Sequence, residues 1–230
     1  MQIKSYRSFY IITIIGSVLF IILSLIAMLY YPGGNYLDST SVGYIFYYNY
    51  LSDLGKTVAL NNEPNPVASI LFPLSLSIAG VSVLPYFYSI RGFFPKTTRS
   101  RKLSNTAFVF GLIAAVFYLG VGFTPSNLVP MAHWVVMFTA FFGAIIAIAL
   151  LIPAILLNPQ FPHRYAWLYI ILEFFVLLHV LISIFHWEVY TMTELAWQVV
   201  TQKLAVYGEM VVMVIQCIGA IKLEKKDNIN

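Results

Sequence analysis

The chain has 230 residues, of which 60% are hydrophobic and only 10% charged, with a formal net charge of +4. Soluble domains carry roughly 25% charged residues, so this chain lacks the polar surface to coat a globule in water. A water-soluble enzyme, a disordered chain and a secreted disulfide scaffold are excluded, the last because Cys217 is the single cysteine and has no intrachain partner. The solvent for most of the molecule is lipid.

A helix crosses a hydrocarbon core of about 30 Å with about 20 mostly apolar residues, and six stretches meet that requirement. The first runs from Phe9 to Tyr31, too long for the core of a signal peptide. The second, Val67 to Ile90, contains Pro73, Pro85 and several serines, which predicts a kinked helix packed closely on its neighbours. No Asp, Glu, Lys or Arg occurs from Leu103 to His163. That interval suits two spans, about Asn105 to Phe123 and about His133 to Leu157, joined at the breaker cluster Thr124-Pro125-Ser126-Asn127 with Pro130. Tyr165 to His186 and roughly Trp197 to Leu223 complete the set.

The fold class that follows is an all-α integral membrane protein, a six-helix transmembrane bundle forming one domain over residues 1–230. Of the 13 basic residues, 11 fall on one side of this bundle, leaving Lys56 and Lys203 on the other. The excess of Lys and Arg in short loops marks the cytoplasmic side, which puts both termini in the cytoplasm and makes the positive charge a topology signal. No basic helix, Arg-rich tract or zinc-finger spacing points to nucleic acid. The expected location is the cell membrane, with the chain passing through it several times.

The long first outer loop, Pro32 to Pro66, stands out because the other connections are short, and such loops are usually functional or partly folded. Within it lies Asn49-Tyr50-Leu51-Ser52-Asp53-Leu54-Gly55. Ser52 and Asp53 can cap a short helix or close an Asx-turn, and Gly55 can take the positive φ that ends one. The same Asp53 can instead face a headgroup, a cation or a catalytic water. Gly120-Val121-Gly122 with Pro125 leads to His133 at the start of the fourth span, either a plain hydrogen-bonding residue or a ligand or base.

A second set lies in the last two spans. With Tyr165 and Lys222 taken as level at one surface and 1.5 Å of rise per residue, His179 falls level with Glu209 and His186 with Gln202. Gln202, Glu209 and Gln216 share one face of the sixth span, and His179, Ser183 and His186 share one face of the fifth. A polar seam results if those faces meet, with His179 the partner of Glu209. Glu173 lies about 120° off that face and is expected to meet another helix. An ionisable residue inside a membrane is costly and by default functional, although a hydrogen-bonded pair that only fixes helix register satisfies the same pattern. Two His seven residues apart do not have metal-ligand spacing, so no metal and no cofactor is expected.

Tyr48-Asn49-Tyr50-Leu51-Ser52-Asp53-Leu54-Gly55, followed by Asn65-Pro66, Phe72, Gly80, Gly120-Val121-Gly122, Pro125 and His133, resembles a family of prokaryotic six-span membrane proteins catalogued as domain of unknown function 998. The pattern covers about residues 45–135. The outer-loop segment is also similar to that of the more distant Frag/DRAM/Sfk membrane proteins, a group linked to lipid-anchor remodelling and lipid organisation. The resemblance implies Asn49, Ser52, Asp53, Gly55, Pro125 and His133 as site positions and supplies no activity. Three functions are left open: binding of membrane lipids or a membrane-protein partner at an outward polar site, a lipid-modifying enzyme using Asp53 and His133, and a small proton-coupled carrier using Glu173, Glu209 and His179.

Overall fold

The computed structural model describes residues 5–159, 161–185 and 188–227. The elements are α1 (Arg7–Leu29), α2 (Ala68–Ile90), α3 (Arg99–Gly122), α4 (Pro130–Leu156), α5 (Arg164–Phe185) and α6 (Met192–Asp227), with a short 3₁₀ helix at Leu51–Gly55 in the long first loop. All six long helices are apolar and long enough to cross a membrane, and the described residues contain no strand beyond two isolated bridges in that loop. His186, expected at the upper end of the seam, lies outside the described residues.

Local chemistry sets the helix ends. Thr98 caps α3 by accepting the Arg101 amide at 3.2 Å. Pro130 opens α4 at its first turn, where a missing N–H costs nothing and φ is already helical. In α2, Ser77 and Ser89 donate to the carbonyls of Pro73 and Pro85, four residues back, at 2.8 and 2.6 Å. Such back-bonding accompanies helix bending.

Each helix packs chiefly against its sequence neighbours, and α1 also packs against α6, so the six form a closed ring. Small residues bring the backbones together. A Cβ on Gly80 would stand 2.9 Å from the Ala115 carbonyl oxygen, and one on Gly16 would collide with the Ser82 side chain. Thr13 of α1 donates to the Ser82 carbonyl of α2 at 2.6 Å, a polar tie between buried neighbours. At the ring closure the hydroxyls of Ser24 and Tyr207 meet at 3.0 Å. The start of α1 and the end of α6 lie at one end of the bundle, where Glu224 accepts the Tyr6 amide at 2.8 Å. The long first loop and the α3–α4 turn lie at the other, tied together by Asn127 Nδ2 donating to Thr57 Oγ1 at 2.9 Å. These are called below the terminal end and the loop end.

The α5–α6 register differs from the sequence expectation. Gln216 Nε2 donates to the Tyr165 carbonyl at 2.8 Å, so Tyr165 sits level with Gln216 and not with Lys222. Six residues at 1.5 Å shift the pair by about 9 Å. Counting fourteen residues from each anchor then places His179 level with Gln202. Extra length in α6 is the physical reason, since the helix continues to Asp227 and carries Glu224 to the N-terminal segment.

The close contact at Gly80 generates a prediction. Gly80→Leu forces α2 from α3 against a backbone oxygen that cannot rotate away, a loss of about 1–3 kcal/mol for overpacking. Thermal unfolding in detergent should show a clearly lowered Tm; an unchanged Tm would mean that the two helices are not in contact there.

Candidate functional site

The loop from Tyr30 to Val67 is organised by three polar side chains that the chain folds around. Asn49, fully buried, accepts the Ile45 amide at 2.8 Å and donates to the Gly34 carbonyl at 2.6 Å. Asn65 donates to the carbonyls of Leu54 and Lys56 at 3.1 and 2.8 Å. Asp53 accepts the Tyr50 amide at 2.8 Å and so closes the first turn of the 3₁₀ helix.

Asp53 is only 1% exposed and lies between two buried lysines. Lys56 Nζ stands 3.7 Å from Asp53 Oδ1. Lys203 comes from α6, donates to the Asn49 carbonyl at 2.5 Å and faces the rings of Tyr44 and Phe46 at 5.2 and 4.9 Å. Burial pushes the Asp53 carboxyl up to about 6 from its ordinary 3.8; Lys56, the Tyr50 amide and Lys203 pull the other way. The loop is fastened further where Gln202 accepts the Leu51 amide at 2.7 Å and Tyr50 donates to Gln198.

Beneath this cap lies a cavity of about 810 Å³, its open mouth included. Its polar wall comes from five places: Ser52 of the cap, Ser126 of the α3–α4 turn, His133 of α4, His179 and Ser183 of α5, and Gln198 and Gln202 of α6. Tyr36 and Tyr50 stand at the same wall. Burial and the charge of Asp53 raise both phenols well above their ordinary range, which leaves them as neutral donors.

Both imidazoles are oriented from behind. His133 Nδ1 lies 2.7 Å from the Thr124 carbonyl. A carbonyl only accepts, so the proton sits on Nδ1 and the lone pair on Nε2. His179 Nδ1 is 3.5 Å from Thr201 Oγ1, whose own proton goes to the Trp197 carbonyl at 2.8 Å. The same argument leaves the lone pair of His179 on Nε2, which is buried without a partner.

Two smaller cavities continue inward. Ser52, His133, Met137 and Gln202 belong to the wall of the first cavity and of an apolar neck bounded by Leu76, Phe141 and Val206. Leu76, Tyr118 and Val206 in turn belong to both the neck and a central chamber to which all six helices contribute. Ala79, Gly80, Ala114, Ala115 and Ala144 leave room for that chamber, and Glu209 is the one ionisable carboxyl in its wall. The polarity therefore falls from mouth to chamber.

The structure sorts the residues expected from the sequence. Ser52 and His133 reach the cavity as a pair, and His179 and Gln202 join them from the predicted seam. Asn49 and Asp53 hold the cap and are not in the cavity wall. Pro125 receives the amides of Leu128 and Val129 in the α3–α4 turn. Gly55 does not adopt a positive φ; it is small because Phe72 lies 3.0 Å from where its Cβ would be.

The expected partnership of His179 with Glu209 is not formed. Glu209 accepts from the Tyr118 hydroxyl of α3 at 2.8 Å, because the register shift leaves it seven residues, about 10 Å, below His179. Glu173 is buried with both carboxyl oxygens unbonded among the described residues, so it gains no hydrogen-bonding helix partner there. Gln198, Tyr36 and the lysine pair were not anticipated as site elements. The available signals were the i,i+4 spacing of Gln198 and Gln202 and the isolation of Lys56 and Lys203 from the other basic residues. No three His, Cys, Asp or Glu converge among the described residues.

No protein-family model, curated protein or solved structure matches the chain.

The Asp53 environment has a testable pH dependence. Its folded-state pKa lies above the unfolded one, so its contribution to stability is full below about pH 4 and is lost as pH rises through about 6. The change is about 3 kcal/mol at 1.36 kcal/mol per unit. Wild-type Tm should fall relative to that of Asp53→Asn between pH 4 and pH 7, and a gap that stays constant over that range would refute the buried-carboxyl account.

Proposed function

We propose that the protein is a multi-pass protein of the cell membrane, with its termini cytoplasmic and its loop end outside, that binds a lipid. The headgroup occupies the polar cavity under the cap and an apolar chain runs inward through the neck. The observation that carries this reading is the shared wall of the three cavities, polar at Ser52, His133, His179 and Gln202 and apolar at Leu76, Phe141 and Val206. A polar mouth on an apolar interior is the complement of an amphiphile. Met137, Met210 and Met213 line the path, and flexible thioether side chains repack around a guest at low cost.

Orientation rests on the side chosen by 11 of the 13 basic residues. The two exceptions, Lys56 and Lys203, are buried beside Asp53 and so do not oppose it as exposed loop charges would. The resemblance to the six-span family of unknown function agrees in helix number, and its residues Asn49, Ser52, Asp53 and His133 fall in the cap or the cavity. A membrane-protein partner above the cap is compatible with the same reading.

Enzymatic lipid cleavage or acyl transfer is the second reading, favoured by one observation: the Ser52 hydroxyl and two imidazoles with their Nε2 lone pairs lie in one cavity wall. It no longer draws on Asp53, which is turned into the lysine cluster. The carrier reading draws less support, since Glu209 is engaged by the Tyr118 hydroxyl and not by His179, and Glu173 has no hydrogen-bond partner among the described residues.

A single-chain phospholipid bearing a fluorescent NBD group is a direct probe. Wild-type protein should bind it saturably. Ala144→Phe, which fills the chamber, and His133→Ala, which strips the headgroup wall, should each weaken binding about tenfold; equal binding by all three proteins would reject the reading. Release of fatty acid from the probe by wild type and not by Ser52→Ala would select the enzymatic reading instead.

A further inference from the structure

At the opposite end of the molecule, the seam between α5 and α6 opens sideways into a groove that shares no residue with the neck or the loop-end cavity. Its floor is apolar, with Leu168 and Ile171 from α5 and Ile215 and Ile218 from α6. At its terminal end stand two cations, Arg164 and Lys222, one from each helix, and no acidic side chain lines it.

Arg164 is held in place, and both cations are left without a counter-charge among the described residues. The absence of a side chain at Gly219 lets the Tyr165 ring lie against α6. That ring supports Arg164, whose guanidinium carbon is 5.1 Å from the ring centroid and whose Nη2 donates to the Tyr165 hydroxyl at 3.4 Å. Glu224, two residues beyond Lys222, is buried and engaged with the Tyr6 amide and the Ser5 hydroxyl. Neither Arg164 nor Lys222 makes an ion pair among the described residues.

Charge complementarity decides the occupant. A groove that is apolar along its length and doubly cationic at one end matches a molecule with an anionic head and a long apolar chain. The planar guanidinium forks around a phosphate while the lysine adds a point charge. Basic pockets between membrane helices recognise anionic headgroups in this way. Free phosphate would use the cations and leave the floor bare; a zwitterionic lipid would use the floor and bring its own positive charge to the cations.

We propose that this groove is a binding site for an anionic phospholipid, its phosphate between Arg164 and Lys222 and one acyl chain along Ile171, Ile215 and Ile218. The site is independent of the cavity under the cap.

Native mass spectrometry of the full chain in mild detergent tests it, with phosphatidylglycerol and phosphatidylcholine offered in equal amounts. Wild type should retain one phosphatidylglycerol in preference to phosphatidylcholine. The double variant Arg164→Gln, Lys222→Gln should lose that retention by about tenfold or more, at about 1 kcal/mol for each cation. Lys96→Gln, Lys102→Gln, which removes two basic residues elsewhere in the chain, should keep it. Equal retention by the Arg164/Lys222 variant would overturn the proposal. So would equal retention of the two lipids by wild type, full displacement of the lipid by millimolar inorganic phosphate, or a dimer mass that replaces bound lipid. Saturable binding of the NBD probe by the double variant shows that it is folded and keeps this site distinct from the one under the cap.

Discussion

Lys203 imposes the constraint on which the loop end depends. Its ammonium projects from the wall of α6 and is 3% exposed, and an ion removed from water is tolerated only when other groups replace its solvation. The replacements come from the loop about 150 residues earlier in the chain: the Asn49 carbonyl and the faces of Tyr44 and Phe46, with the Asp53 carboxyl adding its attraction from further off. To deliver them, the loop must fold back over α6. Once it has, Leu51 falls against Gln202 and Tyr50 against Gln198. Ser52, between them and Asp53, is left facing the cavity. One buried charge thus fixes where the cap sits and which of its side chains remain free for chemistry.

The six helices were legible because length and composition alone decide whether a segment can lie in hydrocarbon. Their mutual register was not. It depends on Gln216 finding the Tyr165 carbonyl, a contact that no periodicity within either helix encodes, and an error of six residues there was enough to pair His179 with Glu209 wrongly. Turn chemistry was readable in part. Asn49 and Asp53 make the local backbone bonds that such residues make in turns, whereas the need for glycine at position 55 comes from Phe72 on another element. Lys56 and Lys203 were visible as exceptions to the charge bias, but only the folded loop shows that they share a carboxylate. His133 was readable as a helix-start residue at the loop end; its place in one cavity wall with His179 required the packing of α4 against α5.

Glu209 and Tyr118 show how the core tolerates a carboxyl. The pair is held between α6 and α3, and the nearest open space is a chamber lined almost wholly by alanine, glycine and larger apolar side chains. Small residues serve two purposes in this bundle. Where two helices face one another, as at Gly16 and Gly143, they bring backbones close; where six helices converge, they leave a void, and Gly80 does both. The contrast follows from geometry, because a ring of six helices cannot bring every pair to touching distance.

Ring closure between α1 and α6 also bears on biogenesis. Helix α1 finds its second neighbour only when α6 has been synthesised, so the chamber walls are incomplete until then. The clasp of Glu224 on Tyr6 holds the end of α6 against the start of α1 at the same edge. A ring in which α1 and α6 adjoin is topologically circular, and the order in which its spans are strung along the chain is one of several that would enclose the same interior.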